Sequence, residues 1–348
     1  MPAIASVARD NKRRGVRALV VNCSAPRYNL GAHKLADWLA TQGHAVTYQD
    51  GEPGLFTQDF SLVCLSVIFS WHMPLARDIA LRVKANADVW CGGPGVTTLE
   101  KWWREQTGLD CTRGLDGRFE QQSSNYRMTF ASRGCDRGCT FCIVPLIEGR
   151  TYTLDWDFRP APILCDNNLS ALPVEFQEHI IRRYQETGVR LLDAQNGFEP
   201  HSFNEDTFHR WKPVLRGPWR LGFDTLDEGE HVERAMRTLR ENGVRSRLIR
   251  VYCLIGNEPI AACYERLRKI LEWGGEPYCQ PVLPLNWLRD PRREPLPVRH
   301  DWTDTLLRDF ARYANRYLWR SVPLWEYSNR KAQGERPPFA AMAPLPSR

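Results

Sequence analysis

The stretch Cys135-Asp-Arg-Gly-Cys139-Thr-Phe-Cys142 decides how this chain is interpreted. It places three thiols at C-x3-C-x2-C spacing, directly after an apolar run at 127–131 that reads as a strand. Iron–sulfur cubanes are held by cysteine thiolates and normally take four of them. Three thiolates supplied together therefore predict a cluster with one iron left open to a small molecule, at the end of a strand.

Other interpretations of the three thiols stay open at this point. Structural zinc takes four closed ligands, and Cys165 would be the fourth. A bacterial ferredoxin run has a first gap of two residues and a fourth cysteine nearby, and this sequence has neither. A disulfide framework is not expected in so long a chain without a secretory signature. The remaining cysteines read as reduced core residues: Cys23, Cys64, Cys91, Cys111, Cys165, Cys253, Cys263 and Cys279.

The motif resembles that of radical S-adenosylmethionine (radical SAM) enzymes, in which Phe141 would fill the aromatic position before the last cysteine. The resemblance implies that Cys135, Cys139 and Cys142 ligate a [4Fe-4S] cluster whose open iron binds S-adenosylmethionine. One-electron reduction would then cleave that cofactor to a 5′-deoxyadenosyl radical, which abstracts hydrogen from a substrate. The cofactors supply the difficult chemistry, so no catalytic base is expected among the side chains.

Size and composition set wider limits. The chain has 348 residues, which is enough for two domains, and 43% hydrophobic with 25% charged residues is typical of a globular protein. The formal charge of +6 is mild, so nucleic-acid binding is permitted but not indicated. No apolar stretch approaches the ~20 residues of a membrane span. The apolar run after Lys12, Arg13 and Arg14 is too short for a signal peptide, and a cytoplasmic location is expected.

Residues 1–110 read as a doubly wound, Rossmann-like α/β domain. Strands are predicted at 17–21, 45–48, 62–67 and 89–91, and helices follow the first and third of them. The domain resembles the cobalamin-binding domain that precedes many radical SAM cores, through Asn29-Leu-Gly31, Ser66 and the Gly92-Gly-Pro94 turn. It lacks the D-x-H-x-x-G signature of histidine-ligated cobalt. Cobalamin is therefore a possible cofactor, and a bracing domain without one is the alternative; His72 is a candidate to approach a corrin.

A polar linker at 111–127 leads into a second domain, predicted at 128–285 as a partial (β/α)6 barrel. Its strands are expected at 127–131, 163–165, 189–193, 219–223, 248–254 and 278–282, separated by helical patterns. Polar residues cluster where these strands end, which is where barrels carry their sites. The resemblance to radical SAM cores implies the same partial barrel.

The candidate cofactor-binding residues follow from those strand ends and from the resemblance. Besides Phe141 they are Asp166, Asn167, Asn168, Gln195, Asn196, Asp224 and Gly256. The first three correspond to the turn that contacts the methionine amino group, although an Asx-type turn needs no ligand. Gln195 and Asn196 would reach the ribose or carboxylate. Asp224 and its neighbour Arg220 would pair with a charged end of the cofactor or remain rim charges, and Ile255-Gly256 would lie along the adenine.

After the barrel, residues 286–333 are predicted to form a lid and helical extension, with a helix at 301–319. Arg289, Arg292 and Arg293 lie between prolines there and would recognise a phosphate or carboxylate, or remain solvated. The Pro- and Ala-rich tail at 334–348 is expected to be disordered.

The sequence thus predicts a radical SAM enzyme acting on an unidentified substrate, with methyl transfer as the expected outcome if cobalamin binds. Rearrangement, dehydrogenation or coupling become the expected outcomes without it. The partners implied are the substrate and an electron donor such as flavodoxin or ferredoxin, and no membrane. Two alternatives remain: a radical SAM enzyme that modifies tRNA or DNA, and a non-catalytic iron–sulfur or zinc module.

Overall fold

The structure is a computed structural model that describes residues 15–54, 59–120, 122, 124–329 and 337–342. Lys12, Arg13 and Arg14 lie outside these residues. The strands are β1 Arg17–Asn22, β2 Ala45–Asp50, β3 Leu62–Ser66, β4 Asp88–Gly92, β5 Met128–Thr129, β6 Ser132–Arg133, β7 Thr153–Leu154, β8 Ile163–Leu164, β9 Asp193–Ala194, β10 Trp219–Gly222, β11 Ile249–Ile255 and β12 Glu276–Pro281. The helices are α1 Leu30–Thr41, α2 Met73–Val83, α3 Pro94–Thr98, α4 Glu100–Thr107, α5 Gly117–Glu120, α6 Val144–Ile147, α7 Val174–Thr187, α8 Glu205–Trp211, α9 Gly229–Glu241, α10 Ile260–Glu272 and α11 Asp304–Asn315. Within the described ranges, no helix combines the length and the apolar character needed to cross a membrane.

The chain divides into two compact units, and the division differs from the predicted domain boundaries. The first unit takes the described parts of Met1–Thr129, Arg133–Thr153 and Pro284–Glu294. The second takes Phe130–Ser132, Leu154–Leu283 and the described parts of Pro295–Arg348. The three-cysteine stretch therefore groups with the N-terminal residues, although the sequence analysis put it in the barrel domain. Part of the predicted lid, up to Glu294, does the same.

The first unit is built on a parallel sheet with the strand order β2-β1-β3-β4. Strand β1 is buried along Ala18–Asn22 and pairs with β2 on one side and β3 on the other, so successive connections run in opposite directions from it. This is the doubly wound arrangement that the sequence predicted. In such sheets ligands bind beyond the carboxyl ends of the strands where the order reverses, here β1 and β3.

Helix α1 begins where the sequence indicated, because Asn29 caps it. The Asn29 Oδ1 accepts the Ala32 N–H at 3.1 Å, which satisfies one of the free donors of the first turn. Leu30, Leu35 and Leu39 of this helix are buried. The spacing of Leu35 and Leu39 places them on one side of a helix with 3.6 residues per turn.

The predicted linker at 111–127 is more ordered than its composition indicated. It contains α5, and the Arg118 guanidinium lies over the rings of Trp38 and Trp90, at 5.6 and 4.8 Å from their centroids. Phe119 packs against the core of the sheet beside the same two tryptophans. A cation–π contact of this kind depends on the tertiary fold, so a local polar pattern cannot reveal it.

The second unit contains two groups of parallel strands. Strand β8 pairs with β9, and β10, β11 and β12 form a sheet in that order. Two isolated parallel bridges, Leu191 with Leu215 and Phe198 with Leu221, join the chain around β9 to the chain around β10. Side chains along β11 alternate between buried and half-buried, which gives the sheet one face packed on the core and one partly open face.

Several predicted elements are shorter than expected. The strand predicted at 127–131 is reduced to the two-residue strand β5, with β6 just beyond the predicted range, and the strand predicted at 189–193 is reduced to β9. The helix predicted at 301–319 is α11, which begins after the capping Thr303 and ends at Asn315.

Within the predicted disordered tail, residues 337–342 are described: they include a 3-10 turn, and Phe339 is buried against Phe310. Residues 334–336 and 343–348 lie outside the described part.

Candidate functional site

The three predicted cluster ligands lie on one irregular loop between β6 and α6. Glu148 holds the beginning of this loop, since its Oε2 accepts the Gly134 N–H at 2.8 Å and its Oε1 accepts Arg133 Nη1 at 3.2 Å. Arg133 Nη2 in turn donates to Glu120 Oε2 at 2.8 Å. The residue immediately before Cys135 is thus fixed by charge-assisted hydrogen bonds before any cofactor binds.

Gly134 is required at its position for steric reasons. Its φ is +92°, in the left-handed region, and a Cβ built on it would lie 2.1 Å from the Thr151 carbonyl oxygen. Side chains larger than hydrogen are strained at such a φ, and a backbone oxygen has little room to move away. The glycine lets the strand that returns at Thr151 pass directly against the base of the loop.

Within the loop, Cys135, Cys139 and Cys142 are all half-buried. The Cys142 N–H donates to the Cys139 carbonyl at 3.1 Å, and the Val144 N–H donates to the Cys142 sulfur at 3.5 Å. Backbone N–H groups directed at sulfur stabilise negative charge there, as they do around cluster thiolates. In the described ranges, no three His, Cys, Asp or Glu side chains are gathered closely enough to hold a single metal ion. Phe141, the predicted aromatic contact, is half-buried in the same loop.

The other cysteines have a different environment. All are free, and all except the half-buried Cys111 are buried. Burial raises the pKa of Cys23 to about 12 and that of Cys111 to about 11, and it raises the pKa of Cys263 as well. Because the thiolate is the metal ligand, such residues are poor ligands at neutral pH. They are core residues, as the sequence analysis expected.

In the second unit, Asp166 follows β8 and is completely buried. Its Oδ1 accepts the Ala131 N–H at 2.8 Å, and its Oδ2 accepts the Ser132 hydroxyl. These bonds tie the end of β8 to the chain that leads into the cysteine loop. The geometry therefore gives Asp166 a positioning role, and its predicted contact with the cofactor stays a prediction.

Asn167 is half-buried beside it, and Asn168 is 3% exposed. The Asn168 Oδ1 accepts the Ala171 N–H at 3.3 Å, as in the Asx-type turn considered from the sequence. Its Nδ2, however, is buried and has no hydrogen-bond partner among the residues that the structure describes. A turn explains the oxygen but not this nitrogen, since buried donors are nearly always paired.

Gln195 and Asn196 are exposed at the carboxyl end of β9, next to Cys165. The Asn196 Nδ2 donates to the Cys165 carbonyl at 2.7 Å, and the Cys165 thiol lies 3.4 Å from the Gln195 Oε1. The structure thus brings together the ends of β8 and β9 as predicted. Cys165 is buried and bonded in this group.

Asp224 lies at the carboxyl end of β10 and has an unusual titration. Burial raises the pKa of Asp224 to about 6, and the negative charges of Glu228 and Glu199 add to this effect. The Leu254 N–H, which donates to Asp224 Oδ1 at 3.0 Å, acts in the opposite direction. Perturbed carboxyls at strand ends are frequent at functional sites. Gly256 is buried, and a Cβ there would lie 3.0 Å from Leu307 Cδ2 of α11. Its predicted place along the adenine stays a prediction.

A group of hydrogen-bonded polar side chains on the partly open face of the β10–β12 sheet was not predicted from the sequence. Arg220 donates from Nε and Nη2 to the two carboxylate oxygens of Asp193 at 2.6 and 2.7 Å, and from Nη1 to the Tyr252 hydroxyl. Tyr278 meets Tyr252 edge-on at 5.4 Å. Arg220 is therefore paired inside the protein and is not a solvated rim charge. The alternation in β11 was the signal that placed Tyr252 on this face; its partners are distant in sequence.

In the first unit, a polar network occupies the carboxyl ends of β1 and β3. The Asn29 Nδ2 donates to Asn22 Oδ1 at 3.1 Å and to Ser66 Oγ at 2.9 Å. The Asn22 Nδ2 donates to Asp50 Oδ1 at 2.7 Å. Beside it, His72 Nδ1 lies 3.0 Å from Ser24 Oγ. Asn29 and Ser66, two of the residues that carried the cobalamin resemblance, therefore meet at the reversal of strand order.

Among solved structures, the chain is similar to the radical S-adenosylmethionine methyltransferase TsrM from Kitasatospora setae, determined with cobalamin and a [4Fe-4S] cluster bound. The match has a TM-score of 0.59 at 15% identity and covers 77% of this chain and 75% of that chain. Over that part, this chain shares the fold of TsrM. At this identity the likeness concerns the fold, which agrees with the family that the cysteine motif indicated.

Two structures of OxsB, a cobalamin-dependent S-adenosylmethionine radical enzyme, are also similar: one has aqua-cobalamin and S-adenosylmethionine bound, and the other has aqua-cobalamin bound. Each match has a TM-score of 0.47 at 12% identity and covers 88% of this chain and 56% of that chain. The TM-scores of these two matches are lower than that of the match to TsrM. No protein-family model and no curated protein matches the sequence.

Proposed function

We propose that this protein is a radical SAM enzyme that uses cobalamin and transfers a methyl group to an unidentified substrate. The observation that carries the proposal is the C-x3-C-x2-C loop in a chain with the fold of TsrM. When bound, the cluster and S-adenosylmethionine supply reductive radical chemistry and cobalamin supplies a methyl carrier. The protein's own part is to hold, orient and shield these groups.

Cys135, Cys139 and Cys142 would hold the cluster. The donor set fits, since the three thiols are half-buried on one loop. Glu148 and Gly134 keep the beginning of the loop in place. The open iron left by three ligands is the place for S-adenosylmethionine.

The second unit would orient S-adenosylmethionine from the carboxyl ends of its strands. Its parallel strands β8 to β12, joined by the two bridges, support the proposal of a partial barrel in which β6 or β5 supplies the first strand. Asn168, with its unpaired Nδ2, and Asp224, with a pKa of about 6, are the proposed contacts. Asn167, Gln195 and Asn196 remain proposed neighbours of the same cofactor.

Cobalamin would occupy the carboxyl edge of the first unit's sheet. The strand order reverses there, and the described residues include one buried donor without a partner, the Trp287 Nε1, in the segment that packs on this edge. All cysteines are free thiols, which suits a reducing compartment such as the cytoplasm. An acidic one-electron carrier such as flavodoxin or ferredoxin is the proposed reductant.

The test is anaerobic reconstitution of the full chain with iron, sulfide and hydroxocobalamin. We expect close to one cubane per chain and, after dithionite, formation of 5′-deoxyadenosine or S-adenosylhomocysteine from S-adenosylmethionine. The matched variants are C139A in the loop and C263A in the core: the first should lose iron and product, and the second should keep both. Zinc in place of iron, or iron without consumption of S-adenosylmethionine, would refute the enzyme in favour of a non-catalytic module. A binding affinity for tRNA or DNA that falls steeply with salt would support the nucleic-acid-modifying alternative.

A further inference from the structure

The segment Pro284–Glu294 leaves β12 of the second unit and packs within the first. Leu288 contacts the hydrophobic core beneath the N-terminal sheet. The Ser70 hydroxyl, just beyond the carboxyl end of β3, donates to the Trp287 carbonyl at 2.5 Å. The segment is thus anchored by one apolar and one polar contact at the edge of the sheet where doubly wound folds bind ligands.

Trp287 brings an unsatisfied donor to this edge. Its indole ring is half-buried, with the Arg289 guanidinium 5.8 Å from the ring centroid, but the Nε1 atom is buried and has no acceptor within the described residues. Buried donors of this kind are rare in folded proteins and call for an explanation such as a missing bound partner. Since the nitrogen does not contact solvent, the ring must turn, or its neighbours must shift, when an acceptor arrives.

A second donor lies nearby on His72. The Ser24 Oγ accepts the backbone N–H groups of Ile68 and Phe69, at 2.9 and 3.4 Å, so both of its lone pairs are used. The Ser24 hydroxyl therefore donates its own hydrogen bond to His72 Nδ1, 3.0 Å away. This arrangement puts the imidazole proton on Nε2 and makes His72 a hydrogen-bond donor through that nitrogen, with no lone pair there for a metal.

Two aromatic rings lie beside His72. Phe69 and Trp71 stack on each other at 4.5 Å, and each meets the His72 ring nearly edge-on. Neutral imidazole and indole donors suit neutral acceptors such as amide carbonyls. Charged side chains lie close as well: the Arg289 guanidinium is 5.8 Å from the Trp287 ring centroid, and the charges of Arg292 and Asp290 act on His72. A large, flat ligand rimmed with amides suits the rings and the neutral donors together, and cobalamin is such a ligand.

We infer that Trp287 and His72 donate hydrogen bonds to amide carbonyls at the rim of cobalamin bound at the carboxyl edge of the first unit's sheet. This inference rests on the proposed function and names two residues that position its second cofactor. It also makes the segment Pro284–Glu294 a part of the cobalamin site.

The experiment is a titration of the anaerobically reconstituted full chain with hydroxocobalamin, followed by absorbance or equilibrium dialysis. W287F removes the N–H and keeps an aromatic ring. We expect its Kd to rise roughly five- to tenfold, the effect of one lost hydrogen bond. W319F is the matched control, because Trp319 in the second unit also has an unpaired buried Nε1 and an arginine over its ring. Its Kd should equal that of the wild type.

The thermal midpoint of the cobalamin-free protein separates a ligand role from a structural one. Loss of an unpaired buried donor should leave the midpoint of W287F unchanged or raised, while binding weakens. A lowered midpoint with unchanged Kd would assign Trp287 to the fold and overturn the inference. H72F should weaken binding by a similar factor, and H72Q, which keeps a side-chain N–H, should restore part of it. If W287F and H72F both bind hydroxocobalamin with the Kd of the wild type, this inference is wrong but the proposed function stands. If the wild type does not bind hydroxocobalamin, the inference and the cobalamin part of the proposed function are both wrong.

Discussion

Asp224 should make this protein less stable as the pH rises from 4 to 7. In the folded state burial raises the pKa of this carboxyl from 3.8 to about 6. Between these values the folded chain holds a proton that the unfolded chain has released. The unfolding free energy therefore falls with increasing pH across this range and is level above it.

The size of the effect follows from the shift. A difference of about 2.2 pKa units, at 1.36 kcal/mol per unit, sets an upper limit of about 3 kcal/mol at pH 7. Partial exposure of the side chain reduces the amount that will be measured. D224N keeps an acceptor for the Leu254 N–H and carries no charge at any pH, so it should lack this dependence.

The measurement is urea unfolding of wild type and D224N at pH 4.5, 6 and 7.5, with the difference between the two proteins plotted against pH. D224N should gain stability relative to the wild type by about 1–3 kcal/mol between the first and the last pH. D304N is the control without a slope in this range, because hydrogen bonds from Arg308 and Leu296 outweigh burial and lower the pKa of Asp304 from 3.8. The stabilisation by this carboxylate is lost only as the pH falls below about 4, so the difference between wild type and D304N should stay nearly constant from pH 4.5 to 7.5. A difference between wild type and D224N that is constant with pH would refute the reasoning.

Three further outcomes are expected. G134A should retain much less iron after reconstitution than G149A. Both glycines have a positive φ, where a side chain costs about 1–2 kcal/mol. Of the two positions, however, only Gly134 is one where an added Cβ would clash with backbone. N29A should destabilise by roughly 2–4 kcal/mol in urea unfolding, because it removes a helix cap and leaves buried polar partners unpaired. R266M should cost about 3–5 kcal/mol, because Arg266 is fully buried 2.9 Å from Glu258 Oε2 and its loss leaves that carboxylate unpaired. Equal iron contents for the two glycine variants, or losses under 1 kcal/mol for either of the others, would contradict these assignments.

The sequence predicted the N-terminal sheet and helix α1 well because their signals are local. The cap at Asn29, the apolar face of α1 and the buried strands β1 and β3 each depend on residues within a few positions of one another. Hydrophobic periodicity and capping report such features directly. The parallel order of the strands then follows from the alternation of strands and helices.

The second unit was harder to predict because its strands β8 and β9 have two residues each. Their positions are fixed by hydrogen bonds to distant residues, such as those that Asp166 accepts from the chain around Ala131. The partner of Arg220 is Asp193, 27 positions earlier, and no local pattern identifies it. The return of Trp287 to the first unit likewise depends on contacts more than 200 residues apart in sequence.

The three loop cysteines differ from the others in a way that bears on how a cluster would be assembled. Thiolate, not thiol, binds iron, and a thiol whose pKa is about 11 or 12 is almost wholly protonated at pH 7. Burial imposes such values on Cys23 and Cys111, so the fold itself keeps competing thiols from binding iron. The loop instead holds its sulfurs half-buried, beside a backbone fixed by Glu148. In a cluster held by Cys135, Cys139 and Cys142, as proposed, the burial of other cysteines would add to the selectivity that the spacing of the motif provides.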